Sequence, residues 1–176
     1  MKNNNVKIIG GKWKRKNISF NDAEDLRPTL GKVRETLFNW LGQDLCDKKC
    51  LDLFAGTGAL GFEALSRNAQ SCTFVENNPN TFEKLLENKK NLNAENAYIK
   101  KIHADHFIKN NEELFDIIFF DPPFILDNSV QLIELIRKFL KPNGVIYFET
   151  NIKLPENFSK LIKTSKAGKV YFHLVH

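Results

Sequence analysis

The chain is poor in the residues that mark several functional classes. It holds three cysteines, Cys46, Cys50 and Cys72, with no C-x-x-C pair. An odd, scattered set of thiols offers neither a disulfide framework nor a zinc ligand quartet, so no metal is expected. No apolar run approaches the length of a membrane span. The opening stretch MKNNNVKIIGG lacks the apolar core of a signal peptide, and a cytoplasmic, membrane-free protein is expected. Acidic residues are missing from the first twenty positions, which hold Lys2, Lys7, Lys12, Lys14, Arg15 and Lys16. The last 26 positions carry five lysines against Glu156 alone.

What is present describes an ordinary globular chain. Its 176 residues fit one domain, and 42% hydrophobic content is enough to bury a core. The formal charge of +5 favours a nucleic-acid partner on electrostatic grounds. A general bias toward Lys and Asn would produce the same total, so the clustering of charge at the two ends is the more specific signal.

The hydrophobic pattern alternates between two periods. Short strands are expected at 6–9 and 17–20 around Gly10-Gly11, then a helix over 31–45 on the spacing of Val33, Leu37, Phe38, Trp40 and Leu41. Strand-like stretches follow at 49–54, 71–76, 97–102, 116–121, 144–149, 161–165 and 169–175. Helical patterns lie at 59–67, 79–92, 105–110 and 127–140. Alternation of this kind gives an α/β fold with a mostly parallel seven-stranded sheet and helices on both faces. The last two strands, joined through Lys-Ala-Gly, read as a C-terminal antiparallel hairpin, the arrangement of a class I (Rossmann-like) methyltransferase. One domain over 1–176 is expected, with a basic N-terminal extension over 1–30 and a catalytic core over 31–176.

Two motifs carry chemistry. In CLDLFAGTGALGFEAL, Gly56, Gly58 and Gly61 form G-x-G-x-x-G between a strand and a helix. Glu76 ends the next strand, where an acid holds ribose hydroxyls. The loop alone fits a dinucleotide, whose pyrophosphate would lie on the helix amides, as well as S-adenosylmethionine. Asp52, in the strand end itself, is placed for a cationic amine and is a poor neighbour for a pyrophosphate. With no room for a separate substrate domain, S-adenosylmethionine is the better fit. Asp105 lies after the third strand, where it can hold the adenine amine or cap a helix.

The second motif is FDPPF, 120–124. Pro-Pro ends a strand because proline cannot donate to a ladder. It also makes a stiff corner. The Asp121 carboxylate and the Pro122 carbonyl can accept the N–H groups of a planar amine and aim its lone pair at a methyl carbon. Pro123 would hold that carbonyl still, and Phe124 would stack on the ring. In the N-terminal segment, Lys12, Lys14, Arg15 and Lys16 flank Trp13, a set suited to phosphates and a stacked base. A solvated arm with Trp13 in the core is the structural alternative. Arg34 and Glu35 read as surface charges.

The segments IIGGKWKRKNI (8–18), LRPTLGKVRETLFNWL (26–41), CLDLFAGTGALGFEALSR (50–67), FVE (74–76), FDPPF and AGKVYFHL (167–174) together resemble the bacterial ribosomal RNA small subunit methyltransferase D family. Its members are 16S rRNA (guanine(966)-N2)-methyltransferases. The resemblance implies that Asp52, Phe54, Gly56, Gly58, Glu76 and Asp105 bind S-adenosylmethionine. It implies that Asp121, Pro122, Pro123 and Phe124 line the guanine pocket, with Arg27 and Thr29 near its mouth. The implied partner is 16S ribosomal RNA, within an assembled or assembling small subunit. Where the family has more arginine, this chain has lysine at 12, 14 and 16, which keeps phosphate attraction without bidentate geometry. The same chemistry on a DNA adenine or a protein glutamine, and a non-catalytic RNA-binding factor, stand as alternative readings.

Overall fold

The computed structural model describes residues 3–21, 31–122, 129–151, 153–154, 158 and 160–176. Two strands, β1 (Asn3–Lys7) and β2 (Asn17–Asn21), pair as an antiparallel ladder. Helix α1 (Gly31–Leu41) follows. The main unit then runs β3 (Lys49–Asp52), α2 (Ala59–Ser66), β4 (Ser71–Glu76), α3 (Pro79–Leu92), β5 (Ala97–Lys101), α4 (Ala104–Asn110) and β6 (Phe115–Phe120). It closes with α5 (Ser129–Ile136), β7 (Leu140–Thr150), β8 (Leu161–Ala167) and β9 (Val170–Val175).

These strands form one seven-stranded sheet in the order β5-β4-β3-β6-β7-β9-β8. The first five are parallel to one another, and β9 pairs antiparallel with both β7 and β8. The expected α/β class and terminal hairpin are therefore present. The chain builds outward from β3 to β5, then crosses over to β6. The resulting switch point, between β3 and β6, is where open α/β sheets bind ligands.

Side chains alternate between the two faces. Cys50, Phe74, Ile117, Phe119 and Tyr147 pack on one face with α1, α2 and α3, through Leu37, Phe38, Phe62 and Leu85. Leu51, Leu53, Val75, Ile118, Phe120 and Phe148 pack on the other with Phe107 of α4 and Ile133 and Ile136 of α5. Each such fully buried large side chain contributes about 1.5–3 kcal/mol. Cys50 and Cys72 are buried members of the first face, and Cys46 is exposed.

Element ends differ from the sequence expectation for local reasons. Strand β1 covers Asn3–Lys7 rather than 6–9, because the Ile9 and Gly10 amides leave the ladder for a side chain of α2. Helix α1 stops at Leu41, where Gly42 takes φ 106° and its amide closes on the Phe38 carbonyl at 3.1 Å. The expected helix over 127–140 ends at Ile136 and tightens into a 3-10 turn, Arg137–Phe139. Strand β7 begins at Leu140, ahead of the Pro-Asn-Gly turn signal, and absorbs it as a register irregularity against β6.

The N-terminal segment is fastened to the C-terminal half of α2. Glu63, fully buried, accepts from the amides of Ile9 and Gly10, both at 2.8 Å. The same carboxylate pairs with Arg67 at 2.9 Å and Arg34 at 3.7 Å. Arg34 is 4% exposed and donates twice to the Lys7 carbonyl at 3.1 Å, which corrects the expectation of a surface charge. Burial lowers its pKa, and the charge of Glu63 works against that. Gly11, at φ 73°, lies so close to Ser66 that a Cβ would meet its carbonyl oxygen at 1.8 Å.

Removing one partner from a buried ion cluster leaves uncompensated charge, at a cost of about 3–5 kcal/mol. Glu63→Ala is expected to lower unfolding free energy by that amount in urea titration, whereas a loss below about 1 kcal/mol would contradict the clamp.

Candidate active site

The C-terminal edge of the parallel strands gathers the acids. Asp52 is the last residue of β3 and Glu76 the last of β4. Asp121 follows β6 directly. Asp52 is level with Phe74 on β4 and Phe119 on β6. The ladder continues past β3: the Leu53 amide bonds the Phe119 carbonyl at 3.1 Å, and the Ala55 amide bonds Val75 at 3.0 Å. The segment after Asp52 thus enters the glycine loop held between the ends of β4 and β6.

Asp52 is 2% exposed, and its Oδ2 accepts from the Gly61 amide at 3.1 Å. Burial pushes its carboxyl pKa well up. The Gly61 hydrogen bond works against this, and the charges of Asp121 and Glu76 add to it. Asp52 therefore lies within electrostatic reach of the other two acids. A buried carboxyl among acids, with a single amide donor, is a site that a cation would complete.

The loop itself supplies a second observation. Gly56 and Gly58 take φ 49° and 75°, the left-handed region that favours glycine. A Cβ at Gly58 would meet Leu85 and Phe62 at 2.6 and 2.7 Å. The Gly56 amide donates to Glu76 Oε2 at 3.0 Å, Gly58 to the Ala55 carbonyl at 2.7 Å, and Ala59 to Thr57 Oγ1 at 3.3 Å. Gly61 donates to Asp52, and Phe62 to the Gly58 carbonyl. Loop amides that already have acceptors inside the chain make a poor pyrophosphate cradle. For Gly56, Gly58 and Gly61 this argues against a dinucleotide reading of the loop.

Glu76 Oε1 accepts from the Asn78 amide at 2.7 Å, so the carboxylate lies along the rim with a fixed orientation. Phe54 is half-buried and meets Phe120 edge-on at 5.6 Å. Asp105 is exposed in the first turn of α4. It does not cap that helix, because the N-cap position belongs to His103. Pro122 is half-buried beside Asp121. Pro123, Phe124, Arg27 and Thr29 lie outside the described residues.

The basic arm divides in two. Lys12, Lys14, Arg15 and Lys16 are exposed, while Trp13 is 6% exposed and packed in the core. The expected base-stacking ring at Trp13 is corrected accordingly: its amide bonds Ser66 Oγ at 2.9 Å, and its ring lies 4.7 Å from Lys12 Nζ. Trp13 anchors the arm and leaves the charges facing solvent. Sequence reasoning also passed over Glu63, Ser66 and Arg67 in this anchoring. Glu63 and Arg67, at i and i+4 on one helix, were the available signal.

Asp52 gives a stability prediction. A carboxyl whose folded pKa is raised keeps its proton longer in the folded state, so stability falls as pH rises from the unfolded value toward the folded one. Asp52→Asn removes that ionisation and can still accept from Gly61. Its stability relative to wild type should grow as pH increases above about 4. Parallel denaturation curves for the two proteins across pH 3–8 would contradict this.

Residues 6–176 match the family model described as Conserved hypothetical protein 95. The chain is 38% identical over 177 residues to ribosomal RNA small subunit methyltransferase D of Escherichia coli strain K12, covering 96% of this chain and 88% of that protein. It is 40% identical over 179 residues to the protein of that name from Haemophilus influenzae, covering 96% and 92%. A solved structure of a putative methyltransferase, yhhF, from Escherichia coli superposes with a TM-score of 0.85 at 35% identity, covering 97% of both chains. On these matches, which span nearly the whole chain, it belongs to the ribosomal RNA small subunit methyltransferase D family.

Proposed function

We propose that this chain transfers a methyl group from S-adenosylmethionine to the exocyclic N2 amine of a guanine in 16S ribosomal RNA. The observation that carries the reading is the convergence of Asp52, Glu76 and Asp121 on one edge of the sheet, with Asp121 close enough to raise the Asp52 pKa. The names of the relatives support ribosomal RNA of the small subunit as the target. Cytoplasmic action on an assembled or assembling subunit follows from that target. No described helix is long and apolar enough to cross a membrane.

The residues fit the cofactor. Asp52 would receive the ammonium of its methionine portion, Glu76 the ribose hydroxyls, and Asp105 the adenine amine. Gly56 and Gly58 would allow the backbone to approach, and Phe54 would flank the site. When bound, the cofactor supplies an electrophilic methyl carbon on a sulfonium. The chain's own task is to make a weak nucleophile competent. The guanine N2 lone pair is delocalised into the ring. Asp121 and the Pro122 carbonyl accept its two N–H groups and turn the lone pair toward the methyl carbon. That lone pair would take the methyl carbon, the sulfur keeping the electron pair of the S–C bond. The extra proton on nitrogen then leaves to Asp121 or to water. Asp121 also stabilises the positive charge that develops on the amine. Phe124, and Arg27 and Thr29 at the mouth, would complete the base pocket.

Lys12, Lys14, Arg15 and Lys16 would hold RNA phosphates outside it. The base must be in a loop or flipped from its stack to reach such a pocket.

Asp121→Ala should lower kcat about 100- to 1,000-fold while S-adenosylmethionine affinity is largely kept. The assay counts labelled methyl transferred to small subunits, naked 16S RNA, DNA or protein. Surviving turnover in the variant, or label in DNA or protein instead of RNA, would overturn the reading. Replacing Lys12, Lys14, Arg15 and Lys16 by Ala should weaken RNA binding. It should also flatten the salt dependence by about 0.7 per lost phosphate contact, measured by titration at several ionic strengths. An unchanged slope would remove the arm from the interface.

A further inference from the structure

Glu149 is absent from the chemistry above, yet the fold brings it beside Asp121. It sits near the end of β7, the strand that flanks β6. Phe119 is level with Tyr147 and Phe120 with Phe148, and Asp121 and Glu149 are the residues that follow this last pair along the two strands. Phe119 and Tyr147 both face the α1–α3 side, and alternation carries Asp121 and Glu149 to that side as well. The charge of Asp121 reaches Tyr147, whose hydroxyl holds the Glu149 carboxylate.

Tyr147 is fully buried, and its hydroxyl donates to Glu149 Oε1 at 2.6 Å. That bond fixes the carboxylate, which is half-buried at the mouth of the strand. Burial raises the Glu149 pKa, and the tyrosine donation works against the rise, favouring the ionised acceptor form. Among the described residues, the Glu149 carboxylate takes its hydrogen bond from the Tyr147 hydroxyl at 2.6 Å. A fixed acid beside the proposed amine acceptor, oriented by a buried tyrosine, has a use that Asp121 does not cover.

We infer that Glu149 is a specificity-determining residue that accepts the N1–H of the target guanine, with Tyr147 as its positioning residue. The inference rests on the guanine reading and deepens it. The N1–H and the N2 amine are adjacent donors on one edge of guanine. Neighbouring strands lie about 4.8 Å apart, so two carboxylates at one level can flank two adjacent donors. Asp121 takes the amine, and Glu149 takes the ring nitrogen beside it. A base with an unprotonated N1 would instead place a lone pair against a carboxylate. A site built to receive a donor strongly rejects an analogue that lacks it.

2-Aminopurine separates the two groups, since it keeps the C2 amine but has an acceptor at N1. The substrates are small subunits reconstituted around 16S RNA carrying guanine or 2-aminopurine at the position the wild-type protein methylates. Wild type should prefer guanine by about a hundredfold or more in kcat/KM. Glu149→Gln, whose amide can donate to N1, should collapse that ratio to about tenfold or less while S-adenosylmethionine binding is retained. Tyr147→Phe should lower the ratio by a smaller factor.

A purely structural Glu149 would slow both substrates together and leave the ratio intact, which overturns the inference alone. Equal use of both bases by wild type overturns it as well, whether or not the variant folds. Failure of wild type to methylate the guanine RNA overturns the proposed function and this inference with it.

Discussion

The parallel pairing of β3 between β4 and β6 is the constraint from which the site follows. It sets Asp52 level with Phe74 and Phe119, and so brings the acids that follow those strands to one edge. Burial raises the Asp52 pKa well above its usual range, and the charges of Asp121 and Glu76 add to the rise. Such an edge is unfavourable alone and favourable around positive charge. S-adenosylmethionine carries a sulfonium and an ammonium, and a methylated amine is cationic until it loses a proton. The burial of Asp52, unfavourable in the free protein, suits the positive charge of the proposed reaction.

Helix α2 links that edge to the basic N-terminal arm. Its N-terminal end emerges from the glycine loop, with Gly61 holding Asp52. Its C-terminal half carries Glu63 and Ser66, which hold Ile9, Gly10 and Trp13, and Arg67 at the C-cap pairs with Glu63. One rigid rod of about 12 Å therefore relates the cofactor loop to the exposed lysines. The order in the arm is local: Ser66 Oγ donates to the Gly10 carbonyl at 2.6 Å, and Ile8 and Lys16 close a backbone ring at 2.9 Å. Its side-chain charges are free to meet phosphates while its backbone is fastened, which reduces the ordering cost of binding.

Much of this was legible from the chain itself, and the exceptions have a common cause. The alternation of periods gave the α/β sheet, and the turn at Gly168, with φ 61°, closes the expected hairpin. Asp52, Glu76 and Asp121 were readable because a strand end is a local pattern and the crevice rule does the rest. Arg34 and Trp13 were misjudged because their partners lie far away in sequence: Glu63 is 29 positions from Arg34, and Ser66 is 53 from Trp13. Composition near a basic cluster cannot tell a stacking ring from an anchoring one. Glu149 was missed because its meaning depends on the register of β6 with β7. No motif in YFET signals that neighbour.

The most direct test of the central claim is a crystal structure of the chain with S-adenosylhomocysteine. The account predicts the amino group of the ligand at Asp52, its ribose at Glu76, and its sulfur facing Asp121 across the open side of the crevice. A ligand bound elsewhere, or a sulfur shielded from Asp121 by the glycine loop, would contradict it.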